Sequence, residues 1–154
     1  MSSFGSISSL DNASSVAVAM TPNFSDYTVN QATVAPGPLS NFQSVAGAPH
    51  QLQYTGVAAL NAQLTYVATF LSSTDGGTVG FRLGKNGTLG NVGAVALNAS
   101  YCQCTNDSNF MCTATGTCQV GLAQNDIISL SIQDESGYGP TLTNANYSLC
   151  ASSL

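Results

Sequence analysis

The chain has 154 residues, of which 44% are hydrophobic and only 6% charged, with two Lys or Arg against seven Asp or Glu and a formal net charge of −5. That length accommodates one domain with a proper core, and the moderate hydrophobicity separates the chain from disordered sequences, which combine low hydrophobicity with high net charge. Two basic residues exclude a nucleic-acid-binding face, which needs several cations to neutralise phosphates, and no run approaches the roughly 18 apolar residues of a membrane-spanning helix.

The opening MSSFGSISSLDNASSVAVAM lacks the positive n-region and compact apolar stretch of a secretion signal, so synthesis in the cytosol is expected. Residues 1–15 are Ser/Gly/Asn-rich with weak periodicity and read as a flexible N-terminal arm, leaving 16–154 as a single domain. Val16, Val18 and Met20 alternate with small residues up to Thr21-Pro22, the pattern of an edge strand, and Phe24, Tyr27 and Val29 form a second short segment. The stretch TVAPGPLSNFQSVAGAPH at 33–50, with three prolines and two glycines, reads as an irregular, exposed connection.

Order resumes with a strand at 51–55, where Leu52 and Tyr54 share a face. Residues 61–71 place Leu64, Tyr66, Ala68 and Phe70 on one side and Val67 and Leu71 on the other, which predicts a central strand covered on both faces. A helix competes on Ala and Leu content, but Tyr66, Val67, Thr69 and Phe70 favour strand. After a turn at 72–77, residues 78–97 (TVGFRLGKNGTLGNVGAVAL) read as a hairpin. Val79, Phe81 and Leu83 form its buried face, Asn86-Gly87 a type I′ turn, and Leu89, Val92, Val95 and Leu97 the return strand. YCQCTNDSNFMCTATGTC at 101–118 reads as a polar loop carrying four of the five cysteines. Val120 and Leu122 lead to a strand at 126–133, then a turn at 134–140 and a last strand at 142–151 with Tyr147 and Leu149 facing inward. Eight to ten short strands without a convincing helix describe an all-β antiparallel sandwich or barrel.

Little in this inventory carries chemistry. Cys102, Cys104, Cys112 and Cys118 lack the paired knuckles of a zinc site, so two disulfides stapling the loop are the favoured reading over plain thiols, with Cys150 buried and free. Cytosolic reduction opposes those bonds until the protein leaves the cell. His50, the only histidine, reads as a surface or interface residue rather than a base. Asp134 and Glu135 read as a solvated turn, and Asp126 as turn geometry rather than a cation ligand. GKNGT at 84–88 lacks the order of a phosphate loop. Arg82 and Lys85 read as solubilising charges on a strand edge. Six Asn-x-Ser/Thr sequons, at Asn12, Asn23, Asn86, Asn98, Asn106 and Asn146, are expected to be chance matches in so polar a chain. No catalytic residue, metal site or cofactor is expected.

Four stretches, in order, resemble the C1q/TNF-like jelly-roll domains found in many virion proteins of phages and large DNA viruses. They are LQYTG at 52–56, FRLGKNGT at 81–88, GLAQNDIISLSI at 121–132 and NANYSL at 144–149. Asn125 stands where the family pattern has glycine, and the cysteine-bearing stretch from Cys102 to Cys118 reads as an insertion. The resemblance implies a homotrimeric jelly-roll β-sandwich with aromatic and aliphatic side chains along the threefold axis, for which Tyr54, Tyr66 and Phe70 are candidates. It also implies binding or scaffolding without catalysis. The expectation is a viral structural protein on the capsid exterior, a decoration, cement or fibre-head jelly roll. It would be made in the host cytoplasm and located on the virion surface, with itself and other capsid proteins as partners and the arm gripping neighbours. A receptor- or glycan-binding module, with Tyr101, Phe110 and Tyr138 on exposed loops, is the alternative, followed by a penton or minor capsid protein.

Overall fold

The computed structural model describes residues 2–10, 17–19, 24–27, 34–87, 89 and 93–154. Among them lie twelve strands and no helix. In chain order they are β1 (Phe4–Leu10), β2 (Ala17–Ala19), β3 (Ser25–Asp26), β4 (Val34–Ser40), β5 (Phe42–Val45) and β6 (Ala48–Tyr54). Then follow β7 (Leu60–Ser72), β8 (Thr78–Lys85), β9 (Val95–Thr105), β10 (Cys112–Leu122), β11 (Ile127–Asp134) and β12 (Thr141–Ser153). One sheet has the order β10-β7-β12-β1-β4, with β2 also on β12; the other has β5-β6-β11-β8-β9, with β3 on β11. Every pairing is antiparallel. From β6 to β12 the chain changes sheet at each step except β8 to β9, which is the winding of a jelly roll.

The two inner faces interdigitate into one core. Ala62, Leu64, Tyr66, Ala68 and Phe70 of β7 and Tyr147 and Leu149 of β12 meet Val79, Phe81 and Leu83 of β8 and Ile128, Leu130 and Ile132 of β11, all of them buried. Phe70 and Phe81 join the sheets at a ring-centroid separation of 5.1 Å, and Tyr27 stands edge-on to Phe81 at 5.8 Å. Full burial of each such side chain is worth roughly 1.5–3 kcal/mol.

Several expectations change. The N-terminal arm is, over Phe4–Leu10, a strand paired to β12 on one side and β4 on the other, with Ile7 in the core. Residues 11–15 lie outside the described residues, as do Val16, Met20, Thr21, Pro22, Val29, Thr33, Thr88, Val92, Asn12 and Asn23. The Pro-rich connection is β4, β5 and the start of β6. Pro36 and Pro38 are tolerated because β4 ends its sheet and needs partners on one side only. β7 is central, between β10 and β12, but only its inner face is covered in the protomer; Val67 on the outer face is 37% exposed.

The hairpin forms, with Lys85 paired to Val95, yet residues 86–94 connect its strands instead of a two-residue turn. Asn86 and Gly87 do adopt positive φ, 63° and 134°. Asn86 is drawn away from the hairpin: its main-chain N–H donates to Ile127 O, its Oδ1 accepts from Ile127 N–H, and its Nδ2 donates to Asp126. The polar loop at 101–118 is mostly the ends of β9 and β10, and only residues 106–111 connect them. Those strands need few large apolar side chains because both lie at sheet edges, where Ser100, Ala114 and Cys118 suffice to line the core. Asn125, in place of glycine, takes φ 71°, a left-handed conformation that asparagine tolerates.

Candidate functional site

Two surfaces stand out once the strands are placed. The first is the outer face of the sheet β10-β7-β12-β1-β4. None of the strands β1, β2, β4, β7, β10 and β12 contains an Asp, Glu, Lys, Arg or His. The face carries Gln63, Thr65, Val67 and Thr69 from β7, Thr113, Thr115 and Thr117 from β10, and Asn146, Ser148 and Cys150 from β12, all set by the strand alternation. Its polar groups hydrogen-bond to one another: Thr65 to Thr117 at 3.3 Å, Thr69 to Thr113 at 3.2 Å, and Thr117 Oγ1 donating to Leu64 O at 2.9 Å. A shallow groove bounded by Val67, Thr69, Asn146 and Ser148 crosses it. Such a face is removed from water without stripping the hydration of any charge.

The second surface is the end of the sandwich formed by the loops 73–77, 106–111 and 135–140. Gly76 N–H donates to Asn106 O, Asn106 N–H to Gly77 O, and Glu135 N–H to Thr78 O, which binds the three loops together. Asp75, Asp107, Asp134 and Glu135 all lie here. Asp75 accepts from Ser108 N–H, and Asp107 from Asn109 and Phe110 N–H. The Ser108 side chain, then its N–H, holds the Asp75 carboxyl below its usual range. Asp134 is buried rather than solvated, a correction to the expected turn. Its carboxylate accepts the N–H groups of Ser136, Gly137 and Gly139 and the Ser136 hydroxyl, shaping the loop around it. Burial opposes its ionisation, but the bonds from Gly139, Ser136 and Gly137 outweigh that and lower its pKa.

The site residues expected from sequence are divided by the fold. Tyr54, Tyr66 and Phe70 do not line a threefold axis: all three face the protomer's own core, at 3%, 0% and 0% exposure. Tyr54 OH donates to Ala58 O and Tyr66 OH to Ser100 O, so their polar tips are satisfied internally. The residues on the other side of β7 are the ones a partner can touch. Tyr101 lies on β9, not in a loop. Its ring and that of Phe24 each stack on the Arg82 guanidinium at 4.9 Å, and its hydroxyl donates to Glu135. Burial, then that bond to Glu135, pushes the Tyr101 pKa up to about 12. Phe110 and Tyr138 are on exposed loops at the acidic end, beside exposed Met111. Tyr138 packs over Gly77, where a Cβ would lie 2.5 Å from its ring.

His50 is in the interior, a second correction: it points inward from β6, its Nε2 lies 2.8 Å from Asp26, and its carbonyl accepts the Tyr147 hydroxyl. Asp126, at the opposite end, accepts from Ala123 N–H and Asn86 Nδ2 and pairs with Lys85 at 3.2 Å. Arg82 and Lys85 therefore have partners within the protomer. Cys102, Cys104, Cys112 and Cys118 are free thiols on β9 and β10, and Cys150 is exposed, because it alternates with inward-facing Leu149. No group of three or more His, Cys, Asp or Glu among the described residues could hold a metal ion, and no helix among them is long and apolar enough to cross a membrane. The uncharged face escaped the sequence reading, although part of its signal, the absence of charge from residues 60–72, 112–122 and 141–153, was present.

No family model and no curated protein matches the chain. Solved structures do match. Eiger TNF from S. frugiperda superposes with a TM-score of 0.63 at 13% identity, covering 99% of this chain and 93% of that one. The globular domain of zebrafish complement 1qA protein gives 0.58 at 14% identity, covering 97% and 96%. The phage PRD1 vertex protein P5 gives 0.57 at 14% identity, covering 99% and 96%. The chain is an antiparallel jelly-roll sandwich of the C1q/TNF-like type.

Proposed function

We propose that this protein is a non-enzymatic structural subunit of a virus particle, a jelly roll on the capsid exterior that assembles with copies of itself into a trimer. The observation that carries this reading is the partition of charge. One sheet presents an outer face whose strands are uncharged, while Asp26, Arg82, Lys85 and Asp134 belong to the other sheet and the remaining described acids to the loops that join the two sheets at their ends. A face of threonine, glutamine and valine buries against a second copy without leaving a charge unpaired, and the C1q/TNF resemblance supports a threefold arrangement. The match to a phage vertex protein over nearly the whole chain supports a virion role. With β1 built into the sheet, contacts to other capsid proteins fall to the acidic, aromatic end rather than to an N-terminal arm. The exposed Phe110, Met111 and Tyr138 at that end favour a second reading, a receptor- or glycan-binding module of the same fold.

Light scattering on the purified chain, with and without reductant, tests the assembly. A mass about three times the 15.7 kDa protomer in both conditions is expected; a monomer at micromolar concentration refutes self-association through this face. Antibody labelling of intact particles then tests the location, with surface labelling expected and its absence counting against an exterior role.

A further inference from the structure

β9 and β10 are neighbours at the open side of the sandwich, β9 ending one sheet and β10 the other. They share no ladder among the described residues, yet they run side by side, and one close approach sets their alignment: a Cβ on Gly116 would lie 2.3 Å from the carbonyl oxygen of Ser100. Stepping antiparallel from that pair sets Cys102 across from Ala114 and Cys104 across from Cys112. The thiol contacts agree. Cys104 Sγ lies 3.6 Å from Thr113 O and Cys112 Sγ 3.4 Å from Thr105 O, so each sulfur reaches the backbone beside the other cysteine. Both side chains are half-buried at inward positions of their strands, and Cys102 Sγ lies 3.9 Å from Cys104 Sγ as a third thiol of the cluster. Cys118 is farther along β10, and Cys150 is on the outer face of β12.

We propose that Cys104 and Cys112 form a disulfide that clips the two sheets together at their open edge, while Cys102, Cys118 and Cys150 remain thiols. The oxidant is a low-molecular-weight disulfide of the glutathione class. One cysteine thiolate attacks it, forming a mixed disulfide and expelling one glutathione thiolate, and the second attacks the protein sulfur of that mixed disulfide and expels the other. Two cysteine S–H bonds and one glutathione S–S bond are broken. One protein S–S bond and two glutathione S–H bonds are formed, and two electrons pass from protein to glutathione. Burial, then the neighbouring Cys102, pushes the Cys104 thiol up to about 12, which disfavours Cys104 as the first nucleophile. No other covalent bond joins the sheets except the chain itself, so the clip holds together edges that otherwise part by local opening.

The test starts from the full chain purified in reductant and equilibrated with oxidised glutathione. Free thiols are then alkylated, the chain is cut before Asp107, which separates Cys104 from Cys112, and the peptides are sequenced by mass spectrometry. A Cys104–Cys112 cross-link is expected, with the other three cysteines alkylated. Oxidation should raise Tm by about 5–10 °C in the unmodified sequence and in Cys102→Ser, and leave Cys104→Ser and Cys112→Ser unchanged. A cross-link between Cys102 and either Cys104 or Cys112, one that includes Cys118, or no intramolecular cross-link after full oxidation overturns the proposal. Should the serine variants fail to fold, the peptide map of the unmodified sequence decides alone.

Discussion

The two sheets share one core but meet solvent in different ways. The outer side of β5-β6-β11-β8-β9 is organised by charge: Arg82 lies between Phe24 and Tyr101, and Glu135 is held by Tyr101 and Gln103. The outer side of β10-β7-β12-β1-β4 has hydroxyls paired with one another and an exposed valine. The first kind of surface resists burial, because each charge loses hydration that its neighbours only partly replace. The second kind is nearly indifferent to it. In a chain with 6% charged residues, where the few charges go says more than how many there are.

The comparison can be broken from either side. The largest effect is expected from Val67→Arg, which puts an unpaired charge in the centre of the uncharged face: the trimer should dissociate to monomer by light scattering while the circular dichroism of the protomer is kept. Gln43→Arg, at an exposed position of β5 in the other sheet, should leave the mass unchanged. If both variants stay trimeric, the interface lies elsewhere. Phe70→Ala removes the ring that joins the sheets to Phe81 and should cost about 3–5 kcal/mol in urea unfolding.

Asp134 is the next test. Its folded pKa is lowered, so its contribution is complete above the unfolded carboxylate value near pH 4 and is lost as pH falls through the folded value. Asp134→Asn turns an amide NH2 toward the Gly139 N–H or toward the Ser136 and Gly137 donors. It should cost about 1.5–3 kcal/mol at pH 7 and flatten the acid limb of the Tm–pH curve. Tyr66→Phe deletes the bond to Ser100 O at the open edge and should cost about 1 kcal/mol. The smallest effect belongs to Lys85→Met, a partly exposed pair with Asp126, at about 0–1 kcal/mol and vanishing in high salt.

Much of this was legible in the residues. The alternation through 61–71 and 126–133 survives as β7 and β11, and the left-handed positions at Asn86, Gly87 and Asn125 are where residues that tolerate them stand. Other readings failed for identifiable reasons. Phe4–Leu10 and Val34–Ser40 look irregular alone because Gly, Ser and Pro have weak strand preference; each pairs with the other, and β1 is further held by β12. Cysteine, alanine and serine do not announce an inward face, yet at the edge strands β9 and β10 they line it.

By itself the sequence determined the class of the fold and the scarcity of charge, since period-2 alternation and composition are local properties that any antiparallel sandwich would have to accommodate. Only the tertiary structure decided which side of each strand is the inside. Alternation marks two faces but does not say which of them meets the other sheet, so Tyr54, Tyr66 and Phe70 moved from a threefold axis to the core. The gathering of uncharged strands into one sheet also depends on pairings between segments far apart in the chain, and the opposition of Cys104 to Cys112 on how the edges of the two sheets meet; both were set by the packing of the whole.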